Sequence, residues 1–245
     1  MAESTFVLIP GAGGSAWYWH RLEPELRQRG HDVVAVDLPA ADDRAGLPEY
    51  ADAVVTAIGN RRGRIVLVAQ SMGGFTAPLV AARVPVSLIV FLNAMIPRPG
   101  ETPGEWWDHT GQEGARRAND VREGRSPEAG FDALTYFFHD VPQQVVEAAV
   151  AQGEPRQSAA IFSSPLEIDA WPEVPMRVLI GRDDRFFPRD FQQRVAAERV
   201  SIAGDEIPGG HLVALSHPVE LAEQLTLYAR ELVIGREPLP SEGAT

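Results

Sequence analysis

The sequence contains no cysteine and no lysine. Without cysteine there is no disulfide framework, no thiolate metal site and no thiol nucleophile, and the redox compartment is left open. All 22 basic residues are therefore arginine, and Schiff-base chemistry on a lysine amine is excluded. Positive charge is scarce as well, because 34 acidic residues leave a formal net charge of -12. Such a chain lacks the clustered cations that displace counterions from nucleic acid or grip an anionic membrane, so neither is expected as a partner. No run approaches the ~18 apolar residues of a membrane span, and no basic residue precedes the short apolar run 6–9, so a cytoplasmic protein is expected.

The residues present are enough for one large α/β unit: 245 in all, 44% of them hydrophobic. Apolar, β-prone runs occur at 5–9, 32–36, 64–69, 87–92, 176–180 and 201–207. Helical patterns fall between and after them, at 17–29, 49–60, 72–82, 189–197 and 218–232. Six apolar runs alternating with helices predict a doubly wound, mostly parallel sheet with helices on both faces. The alternation fails between 97 and 174, where prolines, glycines, the pair Trp106-Trp107 and the cluster Tyr136-Phe137-Phe138 gather. That stretch reads as a helical cap inserted into a core formed by 1–96 and 175–234, with a flexible tail at 235–245. Arg116, Arg117, Arg122 and Arg125 alternate with Asp120 and Glu123 in the cap and read as a solvated helix face.

Residues 69–74, Ala-Gln-Ser-Met-Gly-Gly, fit the nucleophile-elbow pattern small-x-Ser-x-Gly between a strand and a helix. Ser71 is then the candidate nucleophile, with Ala69 standing where glycine is commoner. Taken alone, the pattern also describes an ordinary strand-to-helix turn. Its weight comes from residues farther along the chain: Asp183 and Asp184 in the loop after the strand at 176–180, then His211 behind two glycines after the last strand. Asp184, three residues beyond Gly181, is preferred to Asp183. The order Ser71, Asp184, His211 is the chain order of the α/β-hydrolase catalytic set.

The glycine-rich loop after the first strand has two readings. Gly11, Gly13 and Ala16, followed by Asp37 at the end of the second strand, match the dinucleotide-binding pattern G-x-G-x-x-A. The same glycines also let a backbone approach a developing oxyanion, whose donors would be the amides of Ala12 and Met72. The second reading is preferred, because the first leaves Ser71, Asp184 and His211 unexplained and places Trp17 and Trp19 beside the loop.

Residues 10–19, 69–74, 181–188 and 209–211 resemble the α/β-hydrolase superfamily. Within it they resemble the small six-stranded branch of plant methyl esterases and hydroxynitrile lyases, and in particular its bacterial esterase-like members. The resemblance runs from Phe6 to about Leu232. It implies a nucleophilic Ser71, a general base His211, an orienting Asp184, an oxyanion hole at Ala12 and Met72, and no metal or organic cofactor. It also carries departures. Leu212 follows His211 where cyanohydrin-cleaving relatives have lysine, Gly11 replaces their hydroxyl-bearing residue, and Ser71 stands where dehalogenases and epoxide hydrolases have aspartate.

A carboxylesterase acting on a small apolar ester is the expectation, with carbon–carbon bond, thioester or lactone hydrolysis as alternatives on the same triad. A non-catalytic ligand-binding member and an NAD(P)-dependent oxidoreductase are the rival classes. The candidate pocket residues are Gly11, Trp17, Trp19, Trp106, Trp107, Tyr136, Phe137, Phe138 and His139. The expected partner is a small-molecule substrate, with the chain a monomer or homodimer.

Overall fold

Buried apolar runs with period-two alternation build the sheet. The computed structural model describes residues 4–234 apart from 129, so the expected tail lies outside the described residues. Six strands form: β1 (Thr5–Ile9), β2 (Asp32–Ala35), β3 (Ile65–Gln70), β4 (Leu88–Leu92), β5 (Met176–Gly181) and β6 (Asp205–Ile207). They pair wholly in parallel in the order β2-β1-β3-β4-β5-β6. Every residue of β1, β3 and β4 is buried, as strands covered on both faces require. Alternate residues serve opposite cores: Val7 and Ile9 pack in one cluster, Phe6 and Leu8 in the other.

The helices between the strands are α1 (Leu22–Gln28), α2 (Leu47–Ile58) and α3 (Gly73–Ala81). The stretch 97–174 carries α4 (Pro103–Thr110), α5 (Gln112–Arg122), α6 (Ala133–Tyr136) and α7 (Gln143–Ala151). After β5 come α8 (Arg189–Val200), the short α9 (Val213–Ser216) and α10 (Pro218–Ile234). Helices α2, α3 and α8 supply one core cluster, α1 and α10 the other.

Two elements differ from the sequence expectation. The helix expected at 17–29 is broken into a 3-10 turn, Ala16–Trp19, and α1. Pro24 explains the break: it has no N–H to offer and fits only in a first turn, so a helix containing it starts near Leu22. The strand expected at 201–207 shrinks to Asp205–Ile207, because α8 runs on to Val200 and Ser201 then turns the chain in a left-handed conformation (φ 57°).

The arginine-rich stretch is also corrected. Arg116 and Arg125 do not sit on a solvated face but turn inward onto Asp120, a fully buried carboxylate at 2.9 and 2.8 Å from them. The Tyr136 hydroxyl donates a third hydrogen bond to it at 2.8 Å. Burying one carboxylate demands this compensation, and the sequence alternation hid it.

A second buried ion pair ties 97–174 to the core. Arg199 of α8 meets Glu101 with both side chains almost fully buried, 2% and 3% exposed, and also donates to the Ile96 carbonyl at 3.0 Å. Burial alone would raise the Glu101 carboxyl, but hydrogen bonds from Arg199 and His109 reverse this and hold it below the ordinary glutamate range. A depressed carboxyl contributes stability that is fully present above its ordinary value of 4.5 and is lost as pH falls through the lower folded value. Arg199→Met, which strands the buried carboxylate, is expected to cost about 3–5 kcal/mol in urea denaturation at pH 7. It should also flatten the acid limb of the stability profile; wild-type stability and acid response in this variant would contradict the role of the pair.

Candidate active site

The sheet order reverses between β1 and β3, since β2 lies beyond β1 on one side and β4 beyond β3 on the other. The crevice at the carboxyl ends of such neighbouring strands is where this architecture places ligands. Ile9 and Ala69 are register partners, so the loop from Pro10 and the turn at Ser71 leave the sheet side by side. Ser71 follows the last residue of β3 with φ 50°, a left-handed conformation that costs a serine of order 1–3 kcal/mol. Its backbone is held there by N–H donation to the Leu92 carbonyl (3.3 Å) and by amides from Gly74 and Met95 donating to its own carbonyl (3.1 and 2.9 Å). Close packing explains the two glycines behind it. A Cβ on Gly73 would lie 2.8 Å from the Pro10 carbonyl oxygen, and one on Gly74 only 2.1 Å from that of Met95.

Ser71 Oγ lies 3.1 Å from His211 Nε2, and His211 Nδ1 lies 2.8 Å from Asp184 Oδ2. A carboxylate can only accept, so Nδ1 carries the proton and Nε2 is free to accept from the serine hydroxyl. Asp184 and His211 are 3% and 2% exposed. The other Asp184 oxygen accepts from the amides of Phe186 and Phe187 at 2.8 and 2.9 Å, and Gln192 Nε2 reaches Oδ2 at 3.3 Å. Both oxygens of the buried carboxylate thus have donors. Asp183 is exposed and accepts from the Gly209 amide at 3.2 Å, so Asp184 rather than Asp183 meets the imidazole.

The loop after β1 is held from both sides. Gly11 N–H donates to Gln70 Oε1 at 3.1 Å and Gly13 N–H to Gln157 Oε1 at 2.9 Å. Among the described residues, the N–H groups of Ala12 and Met72 donate to no protein acceptor. Asp37 accepts from the Ala16 amide at 2.7 Å, and the loop leads into a 3-10 turn rather than a helix. A pyrophosphate would need those glycine amides and a helix N-terminus, so the dinucleotide reading fails.

Around the imidazole stand three phenylalanines. Phe137 stacks on it at 5.0 Å between centroids with planes 20° apart, while Phe187 (5.0 Å) and Phe186 (5.3 Å) meet it edge-on. Phe137 was among the expected pocket residues. Phe186 and Phe187 were not, although they follow Asp184 directly in the run 181–188. Trp107 packs against Phe186 and Phe187 at 5.7 and 5.9 Å. Other expected pocket residues take different posts. Trp106 is fully buried and donates its indole N–H to the Ile96 carbonyl. Trp19 is fully buried in the opposite core cluster, with Trp17 and Phe138 packed against that cluster. Tyr136 is spent on Asp120. His139, whose pKa is lowered by burial, lines a cavity of about 640 Å³ that includes Asp184 but not Ser71.

Serine, imidazole and carboxylate in one hydrogen-bonded line, beside two amides without acceptors, form an arrangement suited to acyl transfer. A model of the alpha/beta hydrolase family matches residues 6–224. The chain belongs to that family. It is similar to norfluorocurarine synthase 1 of a Strychnos species, with 24% identity across 94% of this chain and 97% of that one. Shorter matches link it to probable esterase PIR7A of Oryza sativa (38% identity over 40% of this chain and 42% of that one). Methylesterase 7 of Arabidopsis thaliana is 34% identical over 41% of this chain, and this match spans only 44% of that relative's length. Among solved structures, polyneuridine aldehyde esterase superposes with a TM-score of 0.75 at 21% identity, covering 92% of this chain and 99% of that one. A pyrethroid hydrolase from Sphingobium faniae gives 0.71 at 21% identity, covering 93% and 97%. This alpha/beta hydrolase is therefore an esterase-like enzyme by kinship, and its sheet has the architecture of those structures.

Gly11 is closely confined beside the candidate nucleophile: a Cβ there would lie 2.5 Å from Gln70 Oε1 and 2.8 Å from Ser71 Cβ. Gly11→Ala is expected to displace the loop and slow labelling of Ser71 by a fluorophosphonate about tenfold or more, since displacements near 1 Å carry penalties of that size. Labelling at the wild-type rate would show that the loop yields without consequence.

Proposed function

We propose that this hydrolase is a serine carboxylesterase acting on a small, largely apolar ester. The observation that carries the reading is the continuous line Ser71 Oγ to His211 Nε2 (3.1 Å) and His211 Nδ1 to Asp184 Oδ2 (2.8 Å). His211 accepts the Ser71 proton as Oγ attacks the ester carbonyl, and the oxyanion turns toward the amides of Ala12 and Met72. The same imidazole then gives its Nε2 proton to the departing alcohol. In the second half-reaction it takes a proton from water, which attacks the acyl-enzyme, and returns that proton to Ser71 Oγ as the acyl bond breaks, freeing the acid and the serine hydroxyl. Asp184 stabilises the charged imidazole and fixes its tautomer.

The aromatic walls favour an apolar substrate. Phe137, Phe186 and Phe187 surround the imidazole, and their side chains present no hydrogen-bonding group to a ligand. An ester is preferred to a diketone, thioester or lactone because several relatives bear esterase names, among them methylesterase 7 and polyneuridine aldehyde esterase. Cyanohydrin cleavage does not suit the site, which has Leu212 after the histidine and no lysine anywhere.

Hydrolysis of a short and a long p-nitrophenyl ester tests the proposal. Ser71→Ala and His211→Ala should each lower kcat about 1,000-fold or more, with circular dichroism unchanged. Turnover that survives Ser71→Ala would sink the nucleophile assignment; a folded wild type inert toward both esters and toward fluorophosphonate would sink the esterase reading.

A further inference from the structure

Two buried carboxamides, neither in the hydrogen-bonded line of the site, converge on one carbonyl. Gln70 is the last residue of β3 and 3% exposed; Asn93 follows β4 and is fully buried. Gln70 Nε2 reaches the His211 carbonyl oxygen at 3.4 Å, and Asn93 Nδ2 reaches the same atom at 3.2 Å and that of Gly210 at 2.9 Å. The opposite ends of the two amides hold different loops. Gln70 Oε1 accepts from Gly11 in the loop after β1, and Asn93 Oδ1 accepts from Gly181 at 2.6 Å, where the Asp184 loop begins.

We propose that Gln70 and Asn93 are positioning residues that lock the backbone of His211 to the oxyanion loop and to the Asp184 loop. The proposal rests on the esterase reading for its kinetic consequence, though not for its mechanical one. The histidine is approached through two glycines, Gly209 (φ 115°) and Gly210, whose amides donate to Asp183 and Asp140. Those bonds, with the Asp183 amide donating to the Gly209 carbonyl at 3.0 Å, fix the approach as far as Gly209 and leave the carbonyls of Gly210 and His211 to the two carboxamides. With no side chain to restrain either glycine, the imidazole's reach to Ser71 depends on where the His211 carbonyl is pinned. Each carboxamide has a forced orientation, because one end faces an N–H and the other a carbonyl, so only an amide fits. An ionised carboxylate at either site keeps the acceptor and loses the donor. Asn93 also holds φ 45°, a left-handed conformation that asparagine tolerates better than most residues. Gln70 has a further consequence: by occupying the Gly11 amide it leaves Ala12 and Met72 as the donors for an oxyanion.

Gln70→Glu and Asn93→Asp separate positioning from mere filling, as they alter one donor at nearly constant volume; Gln70→Met, which removes both contacts, is a third arm with less electrostatic disturbance. Hydrolysis of p-nitrophenyl acetate should show kcat down about 10–100-fold with KM changed less than about threefold, as a misaligned base predicts. Hydrogen exchange should rise together in peptides spanning 8–14, 179–186 and 208–213 while α10 keeps wild-type protection. Unchanged exchange in those loops in variants that fold overturns the clamp, as does a kcat within twofold of wild type. If the wild type hydrolyses no ester, the esterase reading fails and the exchange arm alone decides the clamp.

Discussion

The parallel pairing of β1 with β3 is the constraint on which the site depends. With Ile9 beside Ala69, the chain must turn sharply at Ser71 and, in the same plane, must pass Pro10 and Gly11 within van der Waals reach of it. Only glycine is small enough at 11, 73 and 74, where a Cβ would stand 2.8 Å or less from a neighbouring atom. The strain at Ser71 is therefore not an isolated feature. Hydrogen bonds to Leu92, Gly74 and Met95 carry it into β4 and α3, which are themselves buried. A locally unfavourable backbone persists because the surrounding structure over-determines it.

Polar burial is the second cost the fold carries near the site. Asp184, His211, Gln70, Asn93 and Gln192 are all under 5% exposed, in a region otherwise built from phenylalanine and aliphatic side chains. Their hydrogen bonds run largely to one another and to the loops they hold, so the set is stable only as a whole. Removing one member leaves others buried without partners, which costs more than the bond itself was worth. Around this cluster the three phenylalanines pack on the imidazole, which is 2% exposed, and electrostatic interactions of a group so buried are strengthened accordingly.

The alternation of apolar runs and helices was enough to read the parallel sheet and the position of Ser71, because those depend on local patterning and turn sterics. Pro24 was visible too, yet the aromatic run before it masked the helix break it causes. Contacts made by residues far apart in sequence were not legible. Asp120 looked like one charge in a mixed series until Arg116, Arg125 and Tyr136 closed on it. Asn93 carries no motif and only its left-handed backbone marks it. Gln70 stood inside the elbow pattern as its variable position. Trp19 and Trp106 were drawn to the pocket by size and aromaticity, which core packing demands equally.

The stretch 97–174 also holds the loop after β1 in place. Gln157 accepts from the Gly13 amide at 2.9 Å and donates to the Tyr50 hydroxyl at 3.1 Å, so it bridges the loop after β1 and α2. Pro155 presses on the same loop: a Cβ on Gly13, whose φ is 82°, would stand 2.6 Å from the proline ring. The loop that presents Ala12 is consequently shaped by Gln70 on one side and by residues 155 and 157 on the other. A rigid displacement of 153–158 away from the core would release the Gly13 amide and with it the geometry of its neighbour Ala12. Residues 155 and 157 thereby couple the placement of the 97–174 stretch to the geometry of the loop after β1.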